Sequence, residues 1–369
     1  MKIALAQINP TVAAFEENVE TIVSAIEKAK GLGADLVVFP EMAVIGSPAK
    51  DLLEKPNLIQ DNLDALNKIC SKADNVAAII GFIDRDQTKG SKAIYNAAAF
   101  IKDRRIESVH HKLLLSTYDV FDEDRYFVSD AAVSTMWFKG RNIGITIGDE
   151  FLRDPGPVKT LISQGARLII NITATPYSLD EYQTRLKVLS ERAANYNVDL
   201  VYVDKVGGND SLVYAGRSCV IDHWGRLVAK TREFEEDLVV VDLKGAMAEL
   251  PEENVNPMES VYKALVLGLR DYARKCGFET AIIGLSGGID SAVVVCLAVA
   301  AMGKENVVAV SMPSQFSSKG GIEDSRKLAR ALGITLKEIP INELYDTYLR
   351  AFRDEFKGLP PGLAEENLQ

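Results

Sequence analysis

The apolar run Ala281-Ile282-Ile283-Gly284-Leu285 passes without a break into Ser286-Gly287-Gly288-Ile289-Asp290-Ser291 and then into an apolar helical stretch. Few folds use such a strand–Gly-Gly–helix junction. Its backbone amides converge on one point at the positive end of a helix, which suits a phosphate. Gly287 and Gly288 let the main chain approach without a Cβ, and the hydroxyls of Ser286 and Ser291 add donors. Asp290 repels phosphate, so Mg²⁺ bridging it to a polyphosphate is the chemical expectation. A Gly-Gly turn alone needs no ligand; the whole arrangement does.

The pattern around this junction is βα throughout. Periodicity predicts a helix over 261–276, a strand over 280–285, a helix over 291–302, a strand over 306–311, a helix over 322–332 and a strand over 335–339. That is the first part of a doubly wound, Rossmann-like parallel-sheet domain, 258–369. The chain reads as stopping partway through it, which predicts little or no turnover by these 369 residues alone. Before it, the proline- and acid-rich 243–257 reads as a linker.

Residues 1–242 form a separate α/β region. Strands are expected at 3–8, 36–39, 76–82, 143–147, 168–171 and 200–203, and helices at 18–31, 62–71 and 182–196. Strands at 218–222 and 238–242 read as a closing meander around the turn His223-Trp224-Gly225. A net charge of -10 argues against nucleic acid or an anionic membrane as partner. No apolar run is long enough for a membrane span. Four scattered cysteines without metal-ligand spacing suit a reducing cytoplasm. His110, His111 and His223 form no metal pattern and read as structural.

Val261 to Tyr272, Gly284 to Ala292 and Met312-Pro313-Ser314-Gln315-Phe316-Ser317-Ser318 together resemble NAD⁺ synthetase. The resemblance implies ATP-dependent adenylation of deamido-NAD⁺, followed by amidation with ammonia or glutamine nitrogen, with ATP and Mg²⁺ as cofactors. By that resemblance Ser286, Gly287, Gly288, Asp290 and Ser291 hold the pyrophosphate, with Asp290 on the metal, and Ser311, Met312 and Pro313 lie near adenine and ribose. Gly321 stands where the family has a serine. The final Gly362 to Gln369 resembles the start of the family's next motif.

Three motifs in the first region carry a carboxylate, an ammonium and a tight turn at strand ends: Phe39-Pro40-Glu41, His111-Lys112-Leu113 and Ile147-Gly148-Asp149-Glu150. They resemble the nitrilase superfamily, in the glutamine amidotransferase form fused to NAD⁺ synthetase. This implies a four-layer α-β-β-α sandwich, Glu41 as general base, Lys112 as catalytic lysine, Glu123 as a supporting glutamate, and a large homo-oligomer. Gly148 occupies the position of the family's nucleophilic cysteine. Ser47, Thr175, Ser211, Ala215 and Arg217 also depart from the family pattern, which favours a naturally degenerate glutaminase site over one engineered change. The expected glutaminase is dead, leaving free ammonia as donor. A non-catalytic scaffold or oligomerisation role, and a stand-alone carbon–nitrogen hydrolase, are the competing readings.

Overall fold

The computed structural model describes residues 1–55, 57–86, 93–179, 181–244, 250 and 256–354. Most of the expected linker and the Gly362 to Gln369 motif lie outside these residues. The chain divides into two compact units, Met1–Ala264 and Leu265–Gln369.

The first unit holds two six-stranded sheets. One contains β1 (Lys2–Gln7), β2 (Leu36–Val38), β3 (Ala77–Arg85), β4 (Ile94–Lys102), β5 (Arg105–His111) and β14 (Asp237–Asp242), in the order β14-β1-β2-β3-β4-β5. The other contains β6 (Thr135–Phe138), β7 (Arg141–Ile147), β8 (Leu168–Thr173), β9 (Asp199–Asp204), β12 (Cys219–Ile221) and β13 (Leu227–Lys230), ordered β13-β12-β9-β8-β7-β6. A hairpin of β10 (Val206–Asn209) and β11 (Leu212–Ala215) stands apart.

Alternating side chains explain the layering. Ile3 and Leu5 join Val38 and Ile79 in a central core against Ile145, Ile170 and Val201 of the other sheet. Ala4 and Ala6 face outward, where α1 (Phe15–Gly31) and α2 (Leu58–Lys72) contribute Ile22, Ile26, Leu66 and Ile69. On the far face, α3 (Val158–Ser163) and α4 (Glu181–Tyr196) cover Ile169, Leu200 and Tyr202 with Leu161, Leu189 and Ala193. The result is helix–sheet–sheet–helix. Strands apolar on both faces lose their alternation, which is why they read as continuous apolar runs.

The closing meander does not form as expected. The turn at His223 to Gly225 joins β12 to β13, whereas β14 crosses to the other sheet and pairs antiparallel with β1, Lys2 opposite Asp242. The physical reason is that β1 would otherwise be an open edge, and Leu238 and Val240 on β14 complete the apolar cluster under α1.

The second unit has a parallel sheet of β15 (Ala281–Gly284), β16 (Val307–Ser311) and β17 (Thr335–Glu338). Its helices are α5 (Pro257–Lys275, which spans the division between units), α6 (Ile289–Met302), α7 (Lys319–Leu332) and α8 (Asn342–Ala351). Leu285, Val295, Ala298, Val307 and Ala309 form its core. Parallel pairing places the ends of β15 and β16 at one edge of the sheet, the edge at which α/β folds bind ligands.

Candidate functional site

Glu41 follows β2, Lys112 follows β5, Glu123 opens a short turn at Glu123–Arg125, and Gly148 follows β7. These four positions converge. Lys112 Nζ lies 3.0 Å from Glu41 Oε1 and 2.7 Å from Glu123 Oε2. Asn96 on β4 donates from Nδ2 to Glu41 Oε1 at 2.6 Å and to Glu123 Oε1 at 3.0 Å. The Ala174 amide donates to Glu41 Oε2 at 3.0 Å, and the Ser116 amide to Glu123 Oε2 at 2.7 Å. All four polar side chains are buried. Burial alone would lower the Lys112 ammonium, but Glu41 and Glu123 outweigh it and hold it well above its ordinary range. Burial pushes Glu41 up against the pull of that ammonium.

Gly148 sits in the left-handed region at φ +66. Its amide donates to the Ile172 carbonyl at 2.8 Å and its own carbonyl accepts from Asn171 Nδ2 at 3.0 Å. A Cβ built there would lie 2.9 Å from Lys112 Cε and closer still to Nζ, with Glu41 Oε1 at 3.4 Å. The lysine therefore fills the volume a side chain at 148 would need.

Two residues that the sequence reading passed over complete the frame. Asn96 is a lone amide within an otherwise apolar strand, and that isolation was the available signal. Glu150 is buried and accepts from the amides of Leu113, Leu114 and Ile147 at 2.6, 3.1 and 2.8 Å. It ties the lysine-bearing loop to the turn of Gly148. Burial lifts its carboxyl to about 7, against those donors. A cavity of about 280 Å³ opens over Glu41 and Glu123, between Ser47, Met42, Leu53, Phe121 and Phe127.

His111, beside Lys112, is clamped between two carboxylates, Nε2 to Asp84 at 2.8 Å and Nδ1 to Asp130 at 2.7 Å, and stacks on Tyr95. Two acceptors require both ring nitrogens to donate, so folding favours the imidazolium. Burial opposes this, yet the Asp84 and Asp130 bonds prevail and raise the group above its ordinary 6.5. A raised cationic pKa gives stability that is full below pH 6.5 and lost as pH climbs through the folded value. His111→Gln is expected to lose about 1.5–3 kcal/mol in acid. Denaturant melts across pH should show that deficit shrinking in alkali; a constant deficit would refute the clamp.

In the second unit, α6 begins at the loop. Gly287 lies at φ +85, and a Cβ on it would collide with the Gly321 carbonyl oxygen and sit 2.6 Å from Gly321 Cα. Gly321 is thus a packing surface for the loop. Ser286 and Ser291 face each other, Oγ to Oγ, at 3.1 Å, and Gly288 N donates to Ser286 Oγ at 3.3 Å. The first turn of α6 has no side-chain cap. Ser311, buried, ends β16, and Met312, exposed, follows it, with Met312 Cε 3.8 Å from the place of a Gly284 Cβ. Asp290 is exposed in the first turn of α6, and among the described residues no group of three or more His, Cys, Asp or Glu could hold a metal.

The chain matches the carbon–nitrogen hydrolase family over residues 2–252 and the NAD synthase family over residues 261–369. It is 41% identical to the glutamine-dependent NAD(+) synthetase of Synechocystis sp., with all of this chain and 69% of the relative covered. Identity to the synthetase of the same name from Thermotoga maritima is 36%, covering all of this chain and 70% of the relative. The solved synthetase from Acinetobacter baumannii, in complex with ADP, superposes with a TM-score of 0.94 at 32% identity, over all of this chain and 70% of that one. A nitrilase-superfamily amidase from Nesterenkonia shares the fold of the first unit, with a TM-score of 0.59 at 22% identity over 66% of this chain and 90% of its own. A carbon–nitrogen hydrolase domain followed by an NAD synthase domain marks the chain as a ligase. The chain belongs to the glutamine-dependent NAD(+) synthetase family.

Proposed function

We propose that the chain serves NAD⁺ synthesis by amidating deamido-NAD⁺ with free ammonia, its glutamine site being silent. The observation that carries this is the Lys112 ammonium lying in the volume of the missing side chain at 148. Acyl transfer from glutamine needs a nucleophile, and Gly148 has none. Lys112 is no substitute, because an amine held protonated by two carboxylates has no lone pair to give. Glu41 would be the base and Lys112 the electrostatic stabiliser of an active site; here they balance each other as a buried ion cluster with Glu123 and Asn96. The remaining thiols do not help: Cys70 is buried on α2, Cys219 is buried on β12, and neither joins this cluster.

The ATP reading is supported by the loop itself. An uncapped helix start, two glycines and two hydroxyls form a donor set that fits a pyrophosphate. Ser286 and Ser291 would exchange their mutual hydrogen bond for phosphate oxygens. Ser311 and Met312, at the neighbouring strand end, would border the nucleoside. Asp290 would ligate Mg²⁺, which keeps phosphate oxygens and waters as its other ligands and so needs no protein cluster; bound there it would neutralise phosphate charge. A cytoplasmic, homo-oligomeric enzyme is the setting that family membership favours.

The test is ammonia release from glutamine by the whole chain, measured by a coupled assay. The expected result is no release above the protein-free rate. Robust turnover would overturn the reading.

A further inference from the structure

α7 carries Ser325, Leu328, Ala329 and Leu332 at the i, i+3, i+4, i+7 spacing of a core-facing stripe. One member of that stripe is polar. Close packing on the sheet asks for a small residue, which alanine would supply; a hydroxyl at 1% exposure needs a partner as well. Ser325 has two. Its Oγ donates toward the Gly321 carbonyl, one turn back, at 3.0 Å, and toward the Leu285 carbonyl at 3.3 Å. The first is a common bond for a serine within a helix. The second crosses from α7 to the residue directly before Ser286. Leu285 is buried, its amide is engaged by the Val310 carbonyl at 2.8 Å, and among the described residues its carbonyl has no donor but Ser325. The Gly321 carbonyl is the group against which Gly287 packs, and a Cβ on Gly321 would sit 3.1 Å from the Ser286 carbonyl oxygen. One hydroxyl proton thus serves two acceptors, one on the chain that feeds the loop and one on the helix turn packed against it.

We propose that Ser325 is a positioning residue for the loop 286–291: its hydroxyl ties the end of β15 to the first turn of α7 and so fixes the main-chain amides that receive the pyrophosphate. The inference rests on the reading of that loop as the ATP site. Without the hydroxyl the Leu285 carbonyl is buried with no donor, a state that backbone relieves by moving. The movement available is of the loop's entry against the turn of Gly321. An amide nest binds by convergence, so a small shift there weakens the hold on phosphate oxygens. The nucleoside would feel little of it, because Ser311 and Met312 lie at the end of another strand, β16.

Calorimetry of the whole chain, wild type and Ser325→Ala, with magnesium ATP, magnesium pyrophosphate and adenosine tests this. Alanine fits the same stripe and favours the helix, so the variant is expected to fold. ATP and pyrophosphate should each bind about tenfold more weakly, with adenosine unchanged within about twofold. In the unliganded variant the Leu285 and Ser286 amides, bonded to the Val310 carbonyl and Ser291 Oγ, should exchange with deuterium about tenfold faster. Unchanged ATP affinity, an equal loss for adenosine, or unchanged exchange would overturn the inference. Failure of ATP and pyrophosphate to bind wild type would sink the ATP reading instead, and the exchange rates would still decide the tether.

Discussion

Gly148→Cys is expected to lower the melting temperature and to leave glutamine unhydrolysed. The backbone at φ +66 strains any residue with a Cβ, at a cost of about 1–3 kcal/mol. The new Cβ also meets the tip of Lys112. A lysine tip on a surface would swing aside at little cost. This one is held by Glu41 and Glu123 with 3% of its side chain exposed, so moving it breaks a buried ion cluster. The thiol therefore arrives where Lys112 and its partner Glu41 are displaced. Ser47 also lines the cavity over Glu41. Gly148→Ala is the control: it should melt as low as Gly148→Cys, because the cost lies in the Cβ. Wild-type stability in either variant, or ammonia from glutamine with the cysteine variant, would show that Lys112 yields easily.

Gly287→Ala carries the second large effect, expected as loss of the ATP-induced thermal shift. Here the obstacle is main chain, the Gly321 carbonyl at the start of α7, which no rotamer change removes. The left-handed φ +85 adds strain. Together they should cost roughly 2–4 kcal/mol locally and reduce ATP affinity by about 100-fold. Gly288→Ala is the informative contrast. It lies at φ -82, and a Cβ there meets only Ser286 Oγ at 3.4 Å. Its stability should stay within about 0.5 kcal/mol of wild type. Any loss of ATP binding in that variant then reports how closely phosphate approaches the backbone. A normal ATP shift in Gly287→Ala would remove the loop from the nucleotide site.

Element by element, legibility followed the strength of the local apolar signal and not burial: β15 was read although Ile282 is exposed, and β4 was not although nearly all of it is buried. The runs at β1, β7, β8, β9 and β15 are apolar enough to announce themselves, and α1 shows its stripe through Ile22, Ile26 and Ala29. The strands β4 and β5 went unread. Ala97, Ala98 and Ala99 have weak strand preference by themselves, and β5 is an exposed edge; both are strands because β3 pairs with β4 and β4 with β5. The Gly-rich 206–215 did not read as a hairpin, because glycine carries no periodicity.

The sequence by itself determined the two-part architecture, the strand–Gly-Gly–helix junction at 286–291, and the presence of Glu41, Lys112 and Gly148 at strand ends, since strand–turn–helix chemistry is local and each motif carries its own signal. Only the tertiary structure decided that Asn96 joins them, that β14 crosses to seal β1, and that Lys112 occupies the volume beside Gly148. Those depend on which strands become neighbours and on where a long, charged side chain finds its partners once water is excluded, and neither is written in any short stretch of residues.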